Sequence, residues 1–163
     1  MAVGKFRILE EDRVMKIIKA NEKHLSDCAL ALEDSELGRN YFSKEGSALE
    51  AVREGLSAGT LYVAVEDETV LGFMYYIPNG AFHSFPYLHL FVVSPKQRGS
   101  GIGTKMLSYL EQIVGRNRIF LSVADFNPQA LRFYEKNGYT LVGTVKDLYR
   151  KGTDENLMMK IID

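Results

Sequence analysis

Residues Pro95 to Gly115 constrain this chain more than any other stretch. An apolar run, Leu88 to Val93, stops just before a glycine-dense turn, Gln97-Arg98-Gly99-Ser100-Gly101-Ile102-Gly103. Beyond it Met106, Leu107, Leu110, Ile113 and Val114 recur at the spacing of one helix face, with Gly115 as a stop. The order is therefore strand, tight turn, helix. The first turn of a helix has backbone N–H groups with no intrahelical acceptor and carries about half a positive charge, so an anion is its natural occupant. Three alternating glycines let a bulky oxyanion approach those amides, and Arg98 adds a fixed charge.

The turn is not one of the common nucleotide loops. A nucleoside-triphosphate loop needs Gly-Lys-Ser/Thr, whereas Gly103 is followed by Thr104 and Lys105. A dinucleotide fingerprint needs a glycine three places after its second, where Met106 stands. The spacing Arg98-x-x-Gly101-x-Gly103 instead resembles the Gln/Arg-x-x-Gly-x-Gly/Ala signature of the GNAT superfamily, the acetyl-CoA-dependent N-acetyltransferases. Downstream, Asn127 to Tyr139 resembles that family's second landmark, a helix opened by Asn, carrying a Tyr and closed by Asn-Gly-aromatic. The close resemblance spans residues 87–145, and the first half matches in element order alone.

Composition fits one globular domain spanning residues 1–163, with 46% hydrophobic and 25% charged residues. A net charge of −1 gives no global reason to expect nucleic acid or an acidic membrane as partner. No run is long and apolar enough to span a bilayer, the first residues lack a secretory segment, and cytoplasmic residence is the expectation. The lone Cys28 shares an apolar helix face with Leu25, Ala29 and Leu32 and reads as packing. No His/Cys/Asp/Glu cluster has metal-ligand spacing, so no metal is expected.

In chain order, residues 1–13 read as an extension or edge strand and Val14 to Lys19 as the first strand. Helices follow over 21–34 and 47–58, joined by a polar segment. Residues 61–66 and 69–77 form a hairpin turned at Asp67-Glu68 and ended by Pro78-Asn79-Gly80, and 81–86 read as an aromatic loop. In the central strand, Tyr87 to Val93, strict alternation puts Tyr87, His89, Phe91 and Val93 on one face and Leu88, Leu90 and Val92 on the other. Arg118 to Ala124 is a strand. Asn127 as N-cap, Pro128 as first helical residue and Gly138 as stop bound the next helix. Residues 139–145 and 156–162 are the last strands, with a charged, exposed connection between them.

This order is α/β: a mixed central sheet of about seven strands flanked by about four helices. It is also the GNAT element order, and the resemblance implies a splayed cleft between the two central parallel strands that admits the pantetheine arm. It further implies acetyl-CoA as cosubstrate, bound by Phe91, Val92 and Val93 on the strand, by Arg98, Gly99, Ser100, Gly101, Ile102, Gly103 and Thr104 at the turn, and by Asn127. Tyr134 stands at the family's general-acid position. His89 is the candidate base, on the strand beside the expected thioester, where many relatives carry Glu. The segment walling the acceptor pocket in the family draws attention to Glu33, Asp34, Glu36 and Tyr41, and the acidic Glu33, Asp34 and Glu36 hint at a cationic acceptor such as a polyamine or lysine. The expected partner is a small-molecule or peptide amine acetylated in a direct ternary complex. A CoA-binding sensor without transfer activity, and a nucleotide-binding protein, are the competing readings. The exposed edges of the last strands can pair between chains, which leaves a homodimer open.

Overall fold

The computed structural model describes residues 14–163. The extension or edge strand expected over residues 1–13 lies outside the described residues. The strands are β1 (Lys16–Lys19), β2 (Leu61–Glu66), β3 (Thr69–Ala81), β4 (Phe85–Val93), β5 (Arg118–Ala124), β6 (Thr140–Arg150) and β7 (Thr153–Ile161). They form one mixed sheet in the order β1-β2-β3-β4-β5-β7-β6. The helices are α1 (Leu25–Glu33), α2 (Glu36–Tyr41), α3 (Ser47–Ala58), α4 (Ile102–Ile113) and α5 (Pro128–Lys136).

Two apolar cores lie against this sheet. One gathers Leu25, Cys28 and Leu32 of α1 and Ala48 and Val52 of α3 beneath Phe73, Tyr75, Leu90 and Val92. The other joins Met106, Leu107 and Leu110 of α4 to Leu88, Ile119, Leu121, Tyr134 and Met158. Cys28 is fully buried, and burial pushes its thiol up to about 12, so it packs as a small hydrophobe rather than acting as a nucleophile.

Strict alternation along β4 does not hold. Tyr75 faces Leu90 and Tyr76 faces Leu88, which leaves His89 as an extra residue opposite β3. Such a bulge reverses the facing of the strand. Leu88 therefore enters the α4 core, while Leu90 and Val92 enter the α1–α3 core.

Only two residue pairs, Tyr87 with Phe120 and Leu88 with Leu121, join β4 to β5, and both lie near the start of β4. Past them the parallel strands separate, and β5 is bound instead along its whole length to β7. The cleft implied by the resemblance is this separation. It opens beyond the bulge, toward the turn before α4.

Three local readings change. The polar segment after α1 contains α2, capped by Ser35, whose hydroxyl accepts from Gly38 N at 3.0 Å. Its six residues are too few to show a helical apolar period. β3 runs through Pro78 to Ala81, where it turns back at the edge to pair with Phe85, so the aromatic loop shrinks to a tight turn. The charged connection between the last strands is a continuation of both into a long hairpin, with Arg150 paired to Thr153. Thr153 and Glu155 within it are buried, not exposed.

Candidate active site

Two chambers occupy the opened cleft, of about 380 and about 350 Å³. Phe91, Asn127, Ala130, Tyr134 and Leu37 line both, so these residues form the neck between them.

The first chamber is built by the glycine turn. Gly101 is the N-cap of α4 in a left-handed conformation with φ 84°, and no side chain caps this helix. The first helical bond runs from Lys105 N to Gly101 O, so the amides of Ile102, Gly103 and Thr104 lack intrahelical acceptors. A Cβ at Gly99 or Gly101 would meet no atom within 4 Å, so nothing packs against the turn at these two positions, and Ile102, Gly103 and Thr104 border the chamber. Gly103 serves a different end: an added Cβ would lie 2.9 Å from Phe133 Cζ, so this glycine lets α4 pack on α5. Arg98, Gly99, Gly101, Ile102, Gly103 and Thr104 all line the chamber, as do Phe91, Val92, Val93 and Asn127. Ser100 does not. Its hydroxyl donates to the Gln97 carbonyl and braces the turn. Open amides, a left-handed glycine and an arginine together fit a diphosphate.

β4 supplies further donors. Ser94 N donates to Leu71 O at 2.9 Å across the β3–β4 register. Antiparallel alternation then turns the amides of Val92 and Leu90 toward β3, and those of Phe91 and Val93 away from it, toward the side β5 has left. Of Val92 and Val93, both expected to bind the cosubstrate, it is Val93 whose amide faces the cleft.

Asn127 caps α5 through Oδ1, which accepts from Ala130 N at 3.3 Å, and lines both chambers. Tyr134 is buried between Phe91, Phe133 and Tyr139, at ring-centroid distances of 6.0, 5.3 and 5.7 Å. Burial, with a smaller contribution from Tyr87, raises its phenol well above the ordinary value, so it is protonated at neutral pH.

The second chamber is aromatic. Tyr41, Tyr87, Phe126 and Tyr149 line it together with His89 and Glu155. The Tyr87 hydroxyl and Ser122 Oγ are hydrogen-bonded at 2.5 Å. His89 rests edge-on against Tyr75 at 5.4 Å, and burial holds its pKa below the usual 6.5 despite the opposing effect of Glu54. Its imidazole is neutral near pH 7.

The acidic residues singled out from the sequence do not line this chamber. Glu36 lines the first chamber and pairs with Arg39 at 3.0 Å, Asp34 lies on a separate depression beside Asp27, and Glu33 is exposed and borders neither chamber. Only Tyr41 of that group enters. The carboxylate that does enter is Glu155, whose charged sequence surroundings point to an exposed connection. Its signal is faint: Glu155 lies two residues after Thr153 in a charged stretch, and the hydroxyl it accepts from belongs to Tyr41, 114 residues away. Among the described residues no group of three or more His, Cys, Asp or Glu side chains could hold a metal ion, and no helix is long and apolar enough to cross a membrane.

Residues 25–139 match the model of the acetyltransferase (GNAT) family. Among curated proteins, the chain is 28% identical over 111 residues to S-(2-succino)cysteine N-acetyltransferase of Bacillus subtilis (strain 168), covering 63% of this chain and 67% of that protein. It is 29% identical over 111 residues to an uncharacterized protein of Mycobacterium leprae (strain TN), covering 66% of this chain but only 31% of that longer protein. Among solved structures, a GNAT-family acetyltransferase from Bacillus cereus ATCC 10987 has a TM-score of 0.77 at 22% identity, covering 92% of this chain and 99% of that one. An aminoglycoside 6'-N-acetyltransferase complexed with coenzyme A has a TM-score of 0.75 at 24% identity, covering 91% and 97%. Aminoglycoside 6'-acetyltransferase type Ii has a TM-score of 0.74 at 28% identity, covering 92% and 97%. The matched span contains the glycine turn, the parting strands and the helix that carries Tyr134, and on that match the chain belongs to the GNAT family of acetyltransferases.

Proposed function

We propose that residues 1–163 act as one cytoplasmic N-acetyltransferase unit that moves an acetyl group from acetyl-CoA to a primary amine in a direct ternary complex. The observation that carries this reading is the neck, where Phe91, Asn127, Ala130 and Tyr134 border both chambers. An acyl donor in one and an amine in the other then meet without a covalent enzyme intermediate. The coenzyme A complex of the structural neighbour supports acetyl-CoA as cosubstrate.

In this reading the amides at the start of α4, with Arg98, hold the diphosphate, and the remote grip fixes the register of the pantetheine arm along β4. Asn127 adds a side-chain contact to that arm while keeping its capping role. The Val93 amide faces the charge that develops on the carbonyl oxygen. An alkylammonium, with a pKa of about 10.4, has no lone pair to attack with, so a proton must leave first. His89, neutral because it is buried, accepts that proton. The amine nitrogen bonds to the carbonyl carbon as the carbon–sulfur bond breaks, Tyr134 gives its proton to the departing sulfur, and the second proton shed by the acylated nitrogen returns the tyrosinate to a phenol. A dry cleft raises the leaving thiol's pKa as well as the phenol's, which keeps that transfer nearly balanced.

The edge strand β6 exposes Leu141, Val142, Val145 and Leu148, which supports pairing of two chains along it as a homodimer. Sedimentation at micromolar concentration tests the pairing. The activity is tested by thiol release from acetyl-CoA across a panel of amines: release that depends on the amine supports it, and tight acetyl-CoA binding with no release across the panel overturns it.

A further inference from the structure

Glu155 is 2% exposed, yet its carboxylate lines the second chamber. It sits on β7 with Ala124 of β5 and Val145 of β6 beside it in register. Oε1 accepts from the Tyr41 hydroxyl at 2.6 Å. Among the described residues, no lysine, arginine or histidine forms an ion pair with it. The nearby Arg150 is otherwise engaged: Nε donates to Thr153 Oγ1 at 3.0 Å, while Nη1 and Nη2 donate to Asn40 O and Oδ1 at 3.2 and 3.0 Å. Its guanidinium lies over the rings of Tyr41 and Phe126 at 5.1 and 5.5 Å. A buried carboxylate whose neighbouring cation donates to other acceptors and forms no ion pair with it is costly, since buried charges are ordinarily paired directly.

We propose that the direct ion-pair partner Glu155 lacks is supplied by the acceptor, and that the acceptor is a small amine carrying a second, non-reacting cationic nitrogen. The inference rests on the acetyltransferase reading of the site. Glu155 is then the specificity-determining residue of the second chamber. Tyr41, Tyr87 and Tyr149 give the same cation aromatic surface, which favours an ammonium over an uncharged group. The bound cation is the second nitrogen for two reasons. Glu155 is absent from the neck where the acyl group must pass. A carboxylate paired with the reacting nitrogen would also stabilise its protonated form, which cannot attack. A chamber of about 350 Å³ suits a small diamine or amino sugar.

The probes are cadaverine, pentylamine and δ-aminovalerate, which share one chain length and differ in their far end. The wild-type protein should acetylate cadaverine with kcat/KM about tenfold or more above pentylamine, and δ-aminovalerate should be poorest. In Glu155→Gln, which keeps an acceptor for the Tyr41 hydroxyl, the preference for cadaverine over pentylamine should collapse toward unity with KM for acetyl-CoA unchanged. Equal wild-type use of cadaverine and pentylamine, a preference that survives E155Q, or an equal loss of kcat for both amines would each overturn the proposal. Should the variant not fold, the wild-type series still decides. Calorimetry of cadaverine binding to the protein–CoA complex separates this proposal from the acetyltransferase reading. Binding that is lost in E155Q, without transfer to any amine, overturns the acetyltransferase reading while supporting the charge site; transfer without diamine preference overturns the charge site alone.

Discussion

The rings of Phe91 and Tyr134 meet edge to face, 6.0 Å between centroids, where the two chambers join. One residue lies on the strand that leads into the glycine turn and the other on the helix after the diverging strand. The phenol is therefore placed by the same parting of β4 and β5 that opens the cleft.

Replacing Tyr134 by Phe keeps the ring packing and removes the proton. Transfer should slow by about 100-fold, a typical general-acid contribution, with KM for acetyl-CoA within about twofold of wild type. Steady-state kinetics with acetyl-CoA and an accepted amine check this. A change in KM alone would assign Tyr134 to binding.

Gly101 and Gly103 should respond differently to alanine. At Gly101 the cost is backbone strain at φ 84°, about 1–2 kcal/mol, together with weaker coenzyme binding at the open amides. At Gly103 the cost is overpacking against Phe133, about 1–3 kcal/mol. Thermal melting of Gly103→Ala should therefore recover in part when Phe133 is shortened to Leu, whereas Gly101→Ala should gain nothing from that second change.

His89 and Glu155 should give opposite pH signatures. Burial lowers His89, so the rate attributed to it should fall as pH drops through a value below 6.5, and in His89→Gln that limb should vanish from the kcat/KM profile. The same shift stabilises the fold above 6.5, and that contribution is lost as pH falls through the folded value.

Glu155 is raised from 4.5 chiefly by burial and also by Asp125, with the Tyr41 hydrogen bond and Arg150 opposing; Tyr87 and Tyr149 share its chamber. The folded chain therefore holds this proton to higher pH than the unfolded chain. Stability is full below 4.5 and declines as pH rises through the folded value. Without acceptor, E155Q should melt with the wild type at low pH and about 2–4 °C above it at neutral pH for each kcal/mol relieved. Equal melting temperatures at both pH values would contradict a strained carboxylate.

The sequence reveals most where local chemistry decides the structure. The turn before α4 depends on glycines that can take left-handed angles, and α5 is bounded by Asn127 and Pro128, so both are readable in order along the chain. The bulge at His89 is a property of β3 and β4 together, and no pattern within β4 announces it. The second chamber is less legible still, because Tyr41 of α2, Tyr87 of β4, Phe126 after β5 and Glu155 of β7 converge only once the sheet is assembled. The acidic residues near α2 cluster in sequence, yet Glu33, Asp34 and Glu36 do not line the second chamber. Glu155 lies in a charged stretch that resembles a solvated loop, but on β7 it sits between Ala124 and Val145 and accepts from the Tyr41 hydroxyl across the fold.

In the proposed function, backbone amides at the start of α4 grip the coenzyme diphosphate and so deliver the thioester to β4. Hydrogen exchange of individual amides, with and without acetyl-CoA, reads this grip residue by residue. Exchange should slow at Gly99 to Thr104 and at Val93 when acetyl-CoA is added, and ATP should not reproduce the protection at Val93. Unchanged exchange at the turn under saturating acetyl-CoA would contradict it.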